Sequence, residues 1–289
     1  MTSLNSEITQ SKKMPNLIII GAMKSATTSL HKYLQSHPQI DMSNTKEINF
    51  FSSKTNWEKG IEWYKSHFDN NALIKGESSP TYSAYQKFPE TSKRMYSVVP
   101  DAKLIYIVRD PIKRIISHYI HNYTSGLESE EDINKVLGDF NNDYVMTSKY
   151  YYQLEQYLKY YSKSNILIIK TGDLNRFPQK TLHNVYQFLE ISTDIKQTIY
   201  SQKMNQSIYR RRRTDLGNKI AQLPIINQIP YLPAVLRKPL KKIIYLPFSK
   251  PVKKPQLNQH LRDYLIKYLQ EDINQLRKYT GRKFDEWCL

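Results

Sequence analysis

Short runs of apolar residues alternate with longer amphipathic stretches along this 289-residue chain. Each apolar run predicts a buried strand, because a strand covered on both faces has no polar side. These runs lie at 16–20, 73–75, 104–108 and 166–169. The intervening stretches predict helices at 57–68, at 89–99, from 111 onwards, at 149–161 and at 178–189, with a polar surface loop and a short helix at 124–147. This alternation predicts a single α/β domain whose mainly parallel sheet is flanked by helices.

The first apolar run leads into a loop of small residues, GAMKSATTSL, that opens a helix. Small residues let main-chain N–H groups approach an anion, and the helix N-terminus adds its dipole. The common nucleotide-triphosphate loop ends in G-K-[ST], where this chain has Ala26, Thr27 and Thr28, and the lysine comes early, at Lys24. The loop therefore predicts a P-loop-like turn for a phosphate-like group other than ATP with magnesium.

A second candidate contact for an anion follows the strand at 104–108. Asp110 and Pro111 form an N-cap and first-turn pair, so a helix is expected to begin there, with Ser117 about two turns in. Ligands of parallel α/β sheets bind at the carboxyl ends of strands. Arg109 and the Gly21 loop both follow such ends, so we expect them to line one site.

Together these segments resemble the two cofactor-binding segments of sulfotransferases that use PAPS (3'-phosphoadenosine 5'-phosphosulfate). KEINFF at 46–51 and GESSPTY at 76–82 resemble the K-E-x-H-F-F and G-E-K-T-P-x-Y segments of the heparan-sulfate-type enzymes. The stretch at 261–287 is similar to the C-terminal helix of bacterial members. The resemblance covers most of the chain and is weakest over 216–256. It implies one sulfotransferase domain over 15–289.

The resemblance also implies a role for each cofactor residue. The first loop would bind the 5'-phosphosulfate, with Lys24 stabilising the leaving phosphate, and Arg109 and Ser117 would bind the 3'-phosphate. A late basic loop closes over the nucleotide in relatives. The implied cofactor contacts are Gly21, Lys24, Ser25, Ala26, Thr27, Thr28, Ser29, Arg109, Ser117, Tyr209, Arg210 and Arg212. No metal is expected.

Glu47 matches the general base of the heparan-sulfate-type enzymes, which must take a proton from the acceptor. Three apolar neighbours are expected to desolvate Glu47 partly and raise its pKa: Ile48, Phe50 and Phe51. The chain departs from the family pattern at Asn49, where a histidine is usual, and at Ser78, where a lysine is usual. These departures leave the acceptor geometry open. Glu77 is equally consistent with a structural carboxylate and with a part of the acceptor site.

The formal net charge of +17 favours anionic partners, which include PAPS, an anionic acceptor and a membrane surface. From 216 to 262 the chain contains no Asp or Glu and is rich in proline, which prevents long helices. We therefore interpret 216–256 as a basic arm or lid on the acceptor side, with peripheral membrane contact and a packed insertion as alternatives.

The chain's ends and composition suggest where it acts. Residues 1–14 are polar and predict a disordered tail, and no stretch approaches the roughly 20 apolar residues of a membrane span. Cys288 is the single cysteine, so an intrachain disulfide is impossible. These features lead us to expect a cytoplasmic enzyme, and the similarity of 261–287 to bacterial members implies a bacterial one.

Several functions fit this pattern. The acceptor could be a carbohydrate, including an anionic glycan, or a small metabolite, sulfated on a hydroxyl or an amine. A natural-product sulfotransferase with a histidine base is an alternative, for which His118 and His121 are candidates. A basic module that binds membrane or nucleic acid is a third possibility, although we expect no nucleic-acid partner. A nucleotide kinase is disfavoured, because the G-K-[ST] signature is absent.

Overall fold

The structure, a computed structural model, describes residues 14–68, 72–194, 211–221, 223, 240, 243–244 and 246–289. Tyr209 and Arg210 lie outside the described residues, as do 1–13 and much of the basic arm. Met14, which the predicted disordered tail included, is partly buried against the core, so the ordered chain begins at least one residue earlier than expected.

Five parallel strands form the central sheet in the order β2-β3-β1-β4-β5. Their bounds are β1 Leu17–Gly21, β2 Ile40–Met42, β3 Ile74–Ser78, β4 Lys103–Val108 and β5 Ile166–Lys170. The mainly parallel α/β sheet is therefore confirmed, although the short strand β2 was not predicted. β1 is buried along its whole length between β3 and β4, which explains its unbroken apolar sequence.

Helices cover both faces of the sheet, joined by two short 3-10 turns, Pro80–Ser83 and Lys163–Asn165. In chain order the described helices are α1 Thr27–Gln35, α2 Lys54–Trp57, α3 Gly60–Lys65, α4 Thr91–Val98, α5 Pro111–Ser125, α6 Ile133–Val136, α7 Asp143–Met146, α8 Tyr150–Leu158, α9 Thr171–Arg176, α10 Pro178–Leu189, α11 Asp215–Ala221 and α12 Gln259–Thr280. Alternate residues of β1 face opposite cores: Ile19 packs with α1 and α10, whereas Ile18 packs with α3, α8 and α12.

The segment 124–147 differs from its prediction as a surface loop. It contains two short helices, α6 and α7, whose apolar side chains form a third core with α5 and α12. Its buried residues include Ile133, Leu137, Phe140 and Val145. These residues are spaced among acidic and polar ones, so their burial depends on helices that come from elsewhere in the chain.

The C-terminal helix ends earlier than the resemblance implied. It stops at Thr280, where Gly281 takes the left-handed conformation that commonly terminates helices. The chain then folds back and buries Phe284 and Trp287 in the main core, with the Trp287 ring centroid 5.8 Å from that of Tyr150.

The described part of the basic arm is attached to the domain by a small antiparallel ribbon. Strand β6 (Arg211–Arg213) pairs with β7 (Ser249–Pro251). Among the described residues, no helix is long and apolar enough to cross a bilayer.

Candidate active site

The loop after β1 has the backbone of an anion-binding turn. Lys24 and Ala26 both adopt left-handed conformations, with φ of 69° and 71°. Gly21 is required here, because a Cβ at this position would lie 1.9 Å from Ser83 Oγ. A turn that includes left-handed residues can direct successive N–H groups toward one point, so the loop has the form of a nest for an anion.

Helix α1 begins at this loop without the side-chain cap that most helices use. Its N-cap is Ala26, which cannot accept a hydrogen bond through its side chain, and its first turn holds no acidic residue. Helix α5 differs, because Asp110 Oδ1 accepts from Lys113 N at 2.8 Å, as its N-cap sequence predicted. The first N–H groups of α1 are therefore left for a ligand, and the positive end of the helix faces the same place.

Arg109 joins this loop from the end of β4. Its Nη1 donates to the main-chain oxygen of Lys24 at 3.3 Å, and its own main-chain oxygen accepts from Tyr150 Oη at 2.7 Å. Burial lowers the pKa of the Arg109 guanidinium from its usual value. The expected juxtaposition of the loop and Arg109 is confirmed.

Two residues that the sequence analysis missed also support the loop. The Thr171 hydroxyl lies between Ser25 O at 2.8 Å and Val108 O at 3.0 Å, so it joins the loop to the end of β4. Arg114 is fully buried and donates to Met23 O at 3.4 Å and to Ser148 Oγ at 2.5 Å.

The charge on Arg114 adds to the positive potential behind the loop. Burial lowers the pKa of its guanidinium to about 10, which leaves it protonated at neutral pH. Among the described residues, neither Arg109 nor Arg114 forms an ion pair with a carboxylate. The spacing of Arg114 and Ser117, three residues apart in a predicted helix, is the signal that could have identified Arg114.

Ser117 is buried on α5, on the same helix face as Arg114 and His118. Burial and then the Arg114 charge lower the pKa of the His118 imidazole to about 2, so this histidine is neutral at physiological pH. Its ring packs on Tyr144, with centroids 4.8 Å apart, and its Nδ1 lies 3.3 Å from Arg114 Nη2. Such a weakly basic, enclosed imidazole is a poor general base.

Glu47 lies on a loop that runs beside the end of β3. Its main-chain N donates to Ser78 O at 3.0 Å, and its backbone is left-handed, with φ of 64°. The carboxylate pairs with Lys46 at 2.5 Å, and half of the side chain (51%) is exposed. Its three apolar neighbours are buried in the core, while the carboxylate itself stays half exposed: Ile48, Phe50 and Phe51.

The two departures from the family pattern occupy different surroundings. Asn49 is also left-handed, with φ of 53°, and its Oδ1 accepts from Thr81 Oγ1 at 2.7 Å. The side chain of Ser78 is fully buried. The serine therefore does not supply the exposed cation that a lysine at this position would offer.

Glu77 is also fully buried in β3, one residue before Ser78. Burial raises the pKa of its carboxyl to about 7, against hydrogen bonds from Tyr82, Tyr64 and Ser79 that lower it. Glu77 is therefore enclosed by the core, while its near neighbour in space, the Glu47 loop, faces solvent.

Of the two late arginines predicted to contact the cofactor, Arg212 is the one that the structure describes. Its Nη1 donates to Tyr123 O at 3.2 Å and to Glu128 O at 2.8 Å, and its guanidinium carbon lies 4.0 Å from the centroid of the Tyr123 ring. Tyr123 is six residues beyond Ser117, about 9 Å along the helix axis. The structure thus places Arg212 at the C-terminal end of α5.

These residues could bind an elongated anion with a phosphate at each end. The α1 loop with Lys24 offers one anion site, and Arg109, hydrogen-bonded to that loop, offers a positive charge beside it. Glu47, across the end of β3, could accept a proton from a molecule that approaches from solvent. No group of three or more His, Cys, Asp or Glu residues is placed to hold a metal ion in the part of the chain that the structure describes.

Comparison with known proteins agrees with this geometry. A family model described as "Sulfotransferase domain" matches residues 14–221. The chain is similar to the membrane-associated sulfotransferase kil1 of Dictyostelium discoideum, with 43% identity over 37% of this chain and 22% of that protein. It is also similar to heparan sulfate glucosamine 3-O-sulfotransferase 5 of Mus musculus, with 35% identity over 64% of this chain and 56% of that protein. The chain thus spans only part of these relatives.

A solved structure extends the likeness to the whole fold. The crystal structure of a sulfotransferase from Alicyclobacillus acidocaldarius matches 95% of this chain and 98% of its own, with a TM-score of 0.63. The sequence identity is 21%, so this likeness concerns the arrangement of the elements.

Proposed function

The chain belongs to the sulfotransferase domain family and is therefore a transferase, and from this premise we propose that it moves a sulfuryl group from PAPS to a hydroxyl or amine of a carbohydrate or small-molecule acceptor. One observation carries the choice of donor: the uncapped start of α1, with its left-handed Lys24 and Ala26, is hydrogen-bonded directly to Arg109. Two adjacent anion sites suit a donor that carries a phosphosulfate and a second phosphate.

PAPS, when bound, supplies the sulfuryl group and a phosphate leaving group. The N–H groups at the start of α1 would hold the 5'-phosphate, together with the hydroxyls of Thr27 and Thr28. The Lys24 ammonium would stabilise the negative charge that develops on the leaving oxygen. Arg109 and Ser117 would hold the 3'-phosphate. These contacts fix the donor for in-line transfer, which depends mainly on position and charge.

In the same proposal, Glu47 removes the proton from the acceptor. The half-exposed carboxylate can reach an acceptor that lies outside the core, and its main-chain bond to Ser78 O fixes the loop beside the donor site. The low pKa of His118 weighs against the alternative in which His118 is the base.

We favour an anionic glycan as the acceptor. The net charge of +17 attracts polyanions, and the mouse relative is named for heparan sulfate glucosamine. A small metabolite remains the second candidate within the same reaction class, since the proposed donor site would serve both.

Radiolabelled PAPS tests the proposal, offered with heparan sulfate oligosaccharides and, separately, with simple phenols. We expect label in the oligosaccharide. Label in a phenol alone would move the acceptor to the small-molecule class. If PAP, the desulfonated product of PAPS, does not bind the protein, the proposed donor is wrong.

A further inference from the structure

Glu77 makes an unusual set of contacts for a buried acid. Tyr64 Oη donates to its Oε1 at 3.0 Å, and Ser79 Oγ donates to its Oε2 at 3.5 Å. The Tyr82 hydroxyl is the third hydrogen-bond partner. No basic side chain among the described residues forms an ion pair with Glu77. The carboxyl is therefore satisfied by hydroxyl groups alone.

The same hydroxyl-bearing residues hold the loop that carries Glu47. Ser79 Oγ accepts from Asn49 N at 3.0 Å, and Tyr82 Oη accepts from Phe51 N at 3.4 Å. The Tyr64 ring stacks on that of Phe50, with centroids 4.3 Å apart and planes 7° apart. Each partner of Glu77 thus reaches a different residue of the loop 47–51.

The backbone of the loop 47–51 needs stabilising contacts from other parts of the chain. Glu47 and Asn49 hold left-handed conformations, which cost non-glycine residues on the order of 1 kcal/mol or more. The exposed Glu47 side chain gains little from packing. Hydrogen bonds from the loop N–H groups to the end of β3 and the turn after it therefore act together with the burial of Ile48, Phe50 and Phe51 to keep this backbone in place.

We propose that Glu77 is a positioning residue that holds the Glu47 loop through Ser79 and Tyr82, and that its ionised form is the one that does so. The proposal rests on the proposed function, in which Glu47 is the base.

The hydrogen count explains why ionisation matters. Each hydroxyl has one hydrogen, and a hydroxyl that accepts from a loop N–H can give that hydrogen to Glu77. A carboxylate accepts from all three hydroxyls at once. A protonated Glu77 must itself donate, so one of the three hydroxyls has to turn its own hydrogen away from the acid. Where that hydroxyl belongs to Ser79 or Tyr82, the rotation reorients the acceptor of a loop N–H and weakens that bond.

The groups around Glu77 do not titrate in competition with it near neutral pH. It faces the phenols of Tyr64, Tyr82 and Tyr157, whose pKa values burial raises above their usual range. Arg94 on α4 approaches the loop from the other side and donates to Phe51 O at 3.4 Å. Glu77, with a pKa of about 7, therefore changes its charge near neutral pH, whereas the neighbouring phenols and Arg94 do not.

Amide hydrogen exchange on the free protein tests the proposal without an assay of activity. In Glu77→Gln, the amides of Asn49 and Phe51 should exchange roughly 10-fold faster, about the effect of one weakened hydrogen bond. In the wild type, the same amides should lose protection as the pH falls below about 7, after correction for the intrinsic exchange rate. Unchanged exchange at both amides would overturn the proposal.

Asp272→Asn is the matched control. Asp272 is another buried acid, whose pKa burial raises to about 6, and it accepts from Tyr151 N and Tyr152 N on α8. Its substitution should leave exchange at Asn49 and Phe51 unchanged. If Glu77→Gln fails to fold, Ser79→Ala replaces it: protection should fall at Asn49 and persist at Phe51, and unchanged protection at Asn49 would refute the proposal.

Turnover gives the second readout, with radiolabelled PAPS and heparan sulfate oligosaccharides as the probes. Glu77→Gln should lower kcat roughly 10-fold, leave the KM for PAPS unchanged, and remove the fall in kcat near neutral pH. The double variant Glu47→Gln/Glu77→Gln should have the same kcat as Glu47→Gln alone. A further 10-fold loss of kcat in the double variant would show that Glu77 does not act through Glu47. If the wild type transfers no sulfate, the proposed function fails, while the exchange result still decides the role of Glu77.

Discussion

The guanidinium of Arg109 donates a hydrogen bond to the main-chain oxygen of Lys24 across 3.3 Å, although 85 residues separate them in the chain. This bond joins the end of β4 to the turn after β1, so the two proposed phosphate sites are held by neighbouring strands. The distance between the two proposed sites is then set by the spacing of β1 and β4.

Arg109→Ala should weaken PAP binding by roughly 10- to 100-fold, because a charged hydrogen bond to the 3'-phosphate is lost. Adenosine phosphosulfate lacks that phosphate, so its affinity should change far less. Calorimetry with both ligands, in the presence of a chelator, measures the difference. Equal losses for the two ligands would remove the 3'-phosphate assignment.

Lys24→Met should lower kcat by roughly 100-fold or more, since the charge that stabilises the leaving phosphate is lost while the stem of the side chain is kept. Lys32→Met is the control, because Lys32 is an exposed residue of the same helix region, in the last turn of α1. Radiolabelled transfer to heparan sulfate oligosaccharides measures both. Similar kcat values in the two variants would contradict the role of Lys24.

Glu47→Gln keeps the size of the side chain but cannot accept a proton. Turnover should fall by roughly 100-fold or more, the usual scale for a general base, while PAP affinity stays near that of the wild type. Nearly full turnover would place the base elsewhere. His121 would then be the next candidate, ahead of the weakly basic His118.

The stability of the protein should depend on Glu77 in a defined direction of pH. The folded state raises the pKa of this acid from 4.5 to about 7, so the folded state binds the proton more tightly than the unfolded state. The resulting stabilisation is fully present below about pH 4.5 and is lost as the pH rises through about 7. It amounts to something on the order of 3 kcal/mol. Urea titrations of the wild type and Glu77→Gln at a series of pH values should show this dependence in the wild type alone.

The basic arm, 216–256, is the proposed acceptor-side element. Of its lysines, Lys253 and Lys254 are exposed, whereas Lys241 and Lys242 lie outside the described residues. Changing all four to Gln should raise the KM for heparan sulfate oligosaccharides and flatten its salt dependence, because screened attraction to a polyanion is removed. PAP binding should barely change.

As a control for the arm variant, Lys93 and Lys159, two exposed lysines outside the arm, are changed to Gln. If oligosaccharide kinetics stay constant in the arm variant while binding to vesicles with anionic lipids falls, the arm contacts membranes instead. If neither changes, the arm has no role in recognising an anion.

The sequence by itself determined the elements and their order. Unbroken apolar runs such as 104–108 gave rise to strands buried on both faces, and the Asp110–Pro111 pair began α5, because these signals act between residues close in the chain. Local chemistry also predicted a phosphate loop, and the family resemblance that it supported is confirmed by the match over 14–221.

The tertiary structure alone decided which side chains surround the site. Arg114 reaches Met23 from 91 residues away, and Thr171 reaches Ser25 from 146 residues away, so no local pattern could reveal either contact. The exposure of the two acids Glu47 and Glu77 was also decided by tertiary packing. Glu47 stays half exposed although its apolar neighbours lie in the core. Glu77, with no local signal for burial, is enclosed by side chains from other parts of the chain. Exposure depends on what packs from elsewhere, and that is information a single segment does not contain.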